Sequence, residues 1–431
     1  MSWTSGEKLS QSRLRRLSET IPSTYTIWKD GSTYRAETNM SGGTDYNGTN
    51  ASIVIQAAID TLTTTGGLIF LKEGHYSIST ALNMLSDVTV KGATNGATVL
   101  EATGSVTIFK NKNQASGDTF TDFDIQLDDM TLNADSGDHG VHFVNVQGFK
   151  LERIIFKGGG STHRAVELDG CEMGEINGCQ TVGSGIAVLC PSPKTPRASI
   201  IISDNELGGG AACDHPGLLV DRAYRIIASN NMINYHGLSS ELIFQNSANG
   251  IIISGNHIFD GGYHGISIDG CRFIQIIGND IIDNSQNALG TYDGVKLSGD
   301  SQDILIKDNI IRNINFASHK YAIEEAGTSN RNIFSENSVV SVTTPYIVKI
   351  GALTVVKNNI GHVTENSGTS TGTGAQQTIA HGIGPGLTPN HITLTNTDDG
   401  ANPYESAAAD ATNIYVTAVN LKKYTWEVNF I

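Results

Sequence analysis

Basic residues are scarce in this sequence: 28 Lys and Arg stand against 43 Asp and Glu, a formal net charge of −15 over 431 residues. So acidic a chain is a poor match for nucleic acid or for an anionic membrane surface, and neither is an expected partner. Long apolar runs are missing too. No stretch approaches the roughly 18 apolar residues of a membrane-spanning helix, so membrane insertion is not expected. Met1 to Thr20 lacks the apolar region of a secretory signal, so a soluble protein is expected, one that would reach the outside of a cell without a recognisable Sec signal. The five cysteines form no CxxC or zinc-ligand spacing and read as buried small apolar residues. Aromatic residues make up only 7%, which fits a narrow core filled by aliphatic side chains.

What the chain does have is Gly, 48 residues of it, and a repeated unit. The clearest copy is Gly250 to Gly270, GIIISGNHIFDGGYHGISIDG, in which two short runs with period-two alternation are separated by an Asn-centred corner and a Gly-rich corner. Aligning the corner gives Asp129, Arg153, Cys179, Asn205, Asn231, Asn256, Asn279, Asn309, Asn337 and Asn358, spaced by 21 to 30 residues. Such a period is one coil of a solenoid and too short for a propeller blade. The recurring Ile and Val, with Gly, Asn and Asp at the corners, favour a parallel β-helix over leucine-rich repeats. Corner Asn is expected to be structural, tolerating left-handed backbone and bonding locally. One long domain with end pieces follows, since a solenoid grows without a second core.

The ends differ from the repeats. Leu9, Leu14 and Leu17 are spaced for one face of a short helix, and Trp28 to Arg35 reads as a hairpin turning at Asp30-Gly31. Ala51 to Leu62 has helical spacing at Ile55, Ala58, Ile59 and Leu62, stops at Gly66-Gly67, and would cap the open end of the stack. Past Gly361, Ser367 to Gly374 reads as a flexible linker. Alternating runs at Gln376–Ile379, His391–Thr395, Ile414–Ala418 and Tyr424–Phe430 then predict a small β-sandwich. The predicted divisions are an extension over 1–39, the β-helix over 40–362, a linker over 363–374 and a β domain over 375–431.

The segment Gly43 to Gly92 resembles the opening of the pectate-lyase superfamily, through Ile55 to Asp60 (IQAAID), Gly66-Gly67, Gly74 to Tyr76 and Val88 to Gly92. With the repeats, the resemblance covers roughly residues 40 to 362. It implies an all-β chain: a right-handed parallel β-helix of about ten coils with an N-terminal helical cap, followed here by the small C-terminal β-sandwich. The opening MSWTSGEKLS resembles the start of many phage tail proteins, and the C-terminal pattern resembles modules of viral tail and surface proteins. These likenesses imply a virion-associated or extracellular place and a homotrimer. The superfamily holds hydrolases, lyases, epimerases and non-catalytic spikes, so chemistry must come from the site. Polygalacturonase motifs are matched only by Tyr263-His264-Gly265 and Tyr292-Asp293-Gly294, without the paired Asp or the Arg-Ile-Lys. The acidic group Asp128, Asp129, Asp135 and Asp138 lacks the Arg motif of pectate lyases. No cofactor is expected, with calcium the one ion this resemblance leaves open.

Counting back 15 or 16 residues from each corner Asn places Glu241, His264, Asp293 and Tyr321 in one outward column of one sheet. On this register Glu241 and Asp293 are two coils, roughly 9.6 Å, apart with His264 between them. Two carboxylates flanking a glycosidic bond at that spacing suit an inverting glycoside hydrolase. Glu241, His264 and Asp293 are therefore the expected catalytic residues. His236, Tyr263, Asp269, Tyr292, Lys296 and Glu324 are expected to bind substrate, with an eliminative variant using His264 as base. A second cluster lies upstream at His139, His142, Arg164, Glu167, Asp169, His215 and Asp221. The expected activity is cleavage of a long polysaccharide, with a non-catalytic glycan-binding spike as the alternative.

Overall fold

The computed structural model describes residues 23–429 apart from 115–116, 136, 159–163, 192–193, 196, 316–317, 343–346, 363–364, 372, 374, 381–390, 397–403, 411–412 and 419–422. The helix expected around Leu14 lies outside the described residues. Tyr25–Asp30 and Thr33–Thr38 form the expected antiparallel hairpin, turning through Gly31 at φ 59°, and Tyr25 to Ile27 pair in parallel with the strand Gly67–Leu71. The helix Ala51–Asp60 follows, its first turn capped by Asn50, whose Oδ1 accepts the Ile53 N–H at 3.3 Å. Val54, Ile55, Ala58 and Ile59 are buried on its inner face, and Gln56 and Ser52 accept the N–H groups of Asn83 and Ser79 in the first coil. The helix thus covers an end that would otherwise expose apolar interior and unpaired backbone.

Every later coil gives one strand to each of three parallel sheets. In one coil Arg272–Ile277 lies in sheet A, Asp280–Ile282 in sheet B and Val295–Ser298 in sheet C. Sheets B and C have eleven strands each, and sheet A has fifteen including the entry hairpin. The stack is therefore about eleven coils, one more than the sequence predicts. Alternation fills the interior: Ile176, Ile202, Ala228, Ile253, Ile276, Ile306, Phe334 and Val356 form one inward ladder in sheet A. Burying each large aliphatic chain contributes about 1.5–3 kcal/mol. All five cysteines are buried in this stack, and burial pushes the Cys171, Cys179 and Cys271 thiols up to about 12.

The corner between sheets A and B is built differently from its expected form. The left-handed residue is the one before each Asn: Asp204 at φ 58°, Asn230 at 55°, Asp308 at 56° and Glu336 at 60°. Asn205, Asn231, Asn256, Asn279, Asn309, Asn337 and Asn359 instead point inwards as an amide ladder. Each Oδ1 from Asn231 on accepts both the backbone N–H and the Nδ2 of the Asn one coil earlier, at 2.9 to 3.1 Å. Each Nδ2 also reaches a backbone carbonyl, so a buried polar column is fully paired. The last rung is Asn359 and not Asn358. In the first coils Asp129 and Arg153, at φ 55° and 51°, hold the left-handed place.

The segment read as a linker contains a strand, Glu365–Thr371, paired antiparallel with Lys423–Asn429, which also pairs with His391–Asn396. A second sheet joins Gln376–Ala380, Asn413–Ala418 and Tyr404–Ala409. Leu394, Tyr424, Trp426 and Val428 of the first share a core with Ile414 and Val416 of the second, a small sandwich. Among the described residues no helix is long and apolar enough to cross a membrane.

Candidate functional site

Sheet C runs Leu218, Leu242, Ile266, Val295 and Ile323 in register on its inward side. The rung one residue before these is Glu241, Gly265, Gly294 and Ala322, and the rung two before contains His264, Asp293 and Tyr321. Glu241 is therefore not in the column of His264. The turn from Leu242 to the sheet A strand at Asn249 is one residue longer than that from Ile266 to Arg272, and a one-residue slip moves a side chain to the other face. Glu241 is fully buried. Its carboxylate accepts the His236 backbone N–H at 3.0 Å and meets Nδ1 of His236, itself fully buried. Neither residue faces a substrate, which corrects their expected roles.

Asp293 is likewise buried, and its Oδ1 accepts the Tyr321 N–H at 3.2 Å. The Asp293 N–H donates to Nδ1 of His264 at 2.9 Å, and Oδ2 lies 3.4 Å from the same nitrogen. With Nδ1 taken, Nε2 is the nitrogen His264 can offer to a ligand. The Tyr263 and Tyr292 rings lie tilted at 33° to each other with centroids 4.6 Å apart, and His264 stands edge-on to Tyr292 at 5.2 Å. Lys296 and Glu324 are adjacent on the outward face and form an ion pair with each other. These residues gather along the edge of sheet C that follows sheet B. The inverting pair expected of Glu241 and Asp293 does not exist, because both carboxylates are spent on holding backbone.

The upstream residues also converge. Nδ1 of His139 accepts the Arg164 N–H at 3.1 Å, Arg164 reaches Glu167 at 2.9 Å, and His142 approaches Glu167 at 3.6 Å. Burial holds His139 and His215 below the usual imidazole range, so both are neutral near pH 7. Asp169 is paired with Lys194 at 2.7 Å. Asp128 and Asp129, part of the acidic group considered for calcium, are ion-paired with Lys91 and Arg153.

The opposite edge of sheet C, where the chain turns into sheet A, carries a groove that spacing alone did not reveal. Two adjoining cavities of about 630 and 510 Å³ share Asn246 and Ser247. Asp221 and Arg222 line the first, and Tyr224, Asp269, Arg272 and Asp300 line the second. Asp221, Gln245, Asp269 and Ser298 are successive rungs of one outward column. Asp221 and Asp269 are thus two coils, about 9.6 Å, apart at the backbone. Gln245 and Asn246 donate to the Asp221 carboxylate at 2.9 and 3.0 Å, whereas Asp269 takes a bond from the Ser298 hydroxyl at 3.2 Å. The signal for this pair is the recurrence of Asp at the end of the sheet C strand, in Leu218–Asp221 and Ile266–Asp269.

Residues 41–177 match the family model described as rhamnogalacturonase A/epimerase, pectate lyase-like, and residues 139–339 match the model of the right-handed beta helix region. No curated protein matches the sequence significantly. Among solved structures, the A-module of the mannuronan C-5 epimerase AlgE6 from Azotobacter vinelandii is 17% identical, over 72% of this chain and 95% of that one, with a TM-score of 0.55. PfbA, a surface adhesin of Streptococcus pneumoniae, is 14% identical over 72% and 87%, with a TM-score of 0.56. The tailspike gp61 of Pseudomonas phage phi297 is 11% identical over 88% and 92%, with a TM-score of 0.47.

Proposed function

We propose that this chain, a pectate-lyase-like right-handed parallel β-helix protein, cleaves a long polysaccharide by hydrolysis in the groove between sheets C and A. The observation that carries this reading is the Asp221 and Asp269 pair in two adjoining cavities. A backbone spacing of about 9.6 Å lies at the edge of the roughly 6.5 to 9.5 Å between carboxyl groups that leaves room for a water beside the scissile bond, so inversion is the expected outcome. Asp221 receives only amide N–H donors, which a carboxylate accepts without exchange of a proton; it suits the base that draws a proton from water. Asp269, the other carboxylate of the pair, is then left the role of the acid that protonates the leaving oxygen. Arg222 lines the groove and fits anionic groups on the polymer, whereas Arg272 is paired with Asp300 at 2.9 Å.

A groove following several stacked coils presents its polar groups at a regular repeat, which suits a linear polymer. One structural neighbour is an epimerase of mannuronan, itself a polysaccharide. A virion or the outside of a cell is where such an activity meets its substrate, and a homotrimer is the assembly proposed. Support for the trimer comes from sheet A, whose outward column, polar upstream at Gln126, Lys150 and Glu175, carries Ile201, Ile227, Ile252, Leu305, Ile333 and Val355 with Gln275 among them. Incubation with a panel of polysaccharides, following chain length by size-exclusion chromatography, tests the cleavage. A panel bound but left intact would favour the glycan-binding spike.

A further inference from the structure

The aromatic cluster at the other edge of sheet C is unused by that reaction. Tyr263 and Tyr292 hold the same place in successive coils, and the next place is Lys320, whose backbone N–H donates to the Tyr292 carbonyl. The inward positions of these coils are already filled by the fully buried Ile266, Val295 and Ile323. The partly exposed Tyr263 and Tyr292 rings lie outside that inward ladder. The two tilted rings 4.6 Å apart, the edge-on His264 and the Lys320 ammonium 4.4 Å from the Tyr321 ring make a platform that is apolar in the middle and polar around its rim. A pyranose has the matching form, with C–H groups on its face and hydroxyls on its edge, and C–H groups are attracted to the negative face of an aromatic ring. Lys296 is neutralised by Glu324, leaving Lys320 as the ammonium beside the platform best placed to meet a sugar carboxylate.

The buried carboxylates explain how the platform keeps its shape. Gly262 N–H donates to the His236 carbonyl, and Glu241 N–H to the His264 carbonyl, so the loop stapled by the Glu241 and His236 side chains carries the Tyr263-His264 backbone. Asp293 in turn holds His264 and Tyr321. His264 and Asp269 are five residues apart on one extended segment, about 17 Å, so a sugar on the platform lies well away from the groove.

We infer that Tyr263, Tyr292 and His264, with Lys320, form a second carbohydrate site that grips a uronate-bearing chain without cutting it. This rests on the glycan-active reading above, but not on cleavage. Such a grip keeps the polymer near the groove and raises its effective concentration there. Affinity electrophoresis of the full chain in gels containing polygalacturonate, with dextran gels as the neutral comparison, tests it. The wild type should be retarded by polygalacturonate, and Tyr263→Ala/Tyr292→Ala should raise the apparent Kd roughly tenfold or more. Tyr292→Phe keeps the ring and should keep the retardation, and an unchanged melting temperature would confirm that the double variant is folded. Asp269→Asn, which disables cleavage, should still be retarded. No retardation of the wild type, or retardation indifferent to the tyrosines, overturns the site. Retardation lost in Asp269→Asn alone moves the binding to the groove and overturns it too. Retardation without any cleavage leaves the site standing and removes only the hydrolytic reading.

Discussion

Asp221 and Asp269 occupy the same outward position on sheet C strands two coils apart, with Gln245 on the rung between them. Gln245 donates to Asp221 at 2.9 Å, so the intervening rung orients one carboxylate while both remain free to face a ligand in the groove. Glu241 and Asp293, both inside the stack, have no such freedom.

Glu241 is expected to matter for stability and not for chemistry. Glu241→Ala strips partners from the buried His236 N–H and ring, at about 1–3 kcal/mol for each group left unpaired. Urea denaturation should show the loss, while turnover per folded molecule in groove-limited conditions stays within a few-fold of the wild type.

The amide ladder should be sensitive at any rung. Asn279→Leu leaves the Asn256 N–H and Nδ2 without their shared acceptor and takes one of two donors from the Asn309 Oδ1, which keeps the residue 279 backbone N–H. The cost should be several kcal/mol at about 1–3 kcal/mol per buried unsatisfied group, read from the midpoint of denaturant unfolding.

Acid should destabilise the fold through two buried histidines. Burial pushes His319 down to about 3 and His362 down to about 4. Below the ordinary value near 6.5 the unfolded chain takes up protons that the folded chain refuses, so stability falls as pH falls from about 6.5 towards 4. For the pair the loss is roughly 4 kcal/mol between pH 7 and pH 5. Neither ring nitrogen of His362 is hydrogen-bonded, so His362→Leu should fold and show about half the loss in denaturant titrations at the two pH values.

The outward stripe on sheet A should decide assembly. Light scattering is expected to give three times the 45.8 kDa chain mass, and Ile227→Glu/Ile252→Glu should give the monomer. A monomeric wild type at micromolar concentration removes the trimer.

Much of this was legible in the sequence because period and alternation are local. The 21 to 30 residue spacing, the Ile at 266 and 268 and the helix from Ala51 needed only side-chain periodicity, and the pectate-lyase resemblance pointed the same way. Register across coils is not local. Loops differ in length by single residues, so counting back from Asn256 put Glu241 outside when its side chain lies inside. Asn205 to Asn337 read as structural through left-handed backbone, which belongs instead to the residue before each, and the series ends at Asn358, itself left-handed, where the ladder ends at Asn359. The groove escaped because it arises where two strands turn, bringing Asp221 and Asp269 together with Asn246 and Arg272 through coil stacking.

The most direct measurement is the hydrolysis of a cleaved polysaccharide by the wild type, Asp221→Asn and Asp269→Asn, with product anomers followed by proton NMR from the first turnover. Each variant should retain the wild-type melting temperature and lose about a hundredfold or more in turnover, and the wild-type product should appear with inverted anomeric configuration. Full activity in both variants, or an ultraviolet-absorbing unsaturated product in place of the hydrolysed one, would contradict a hydrolytic Asp221 and Asp269 pair.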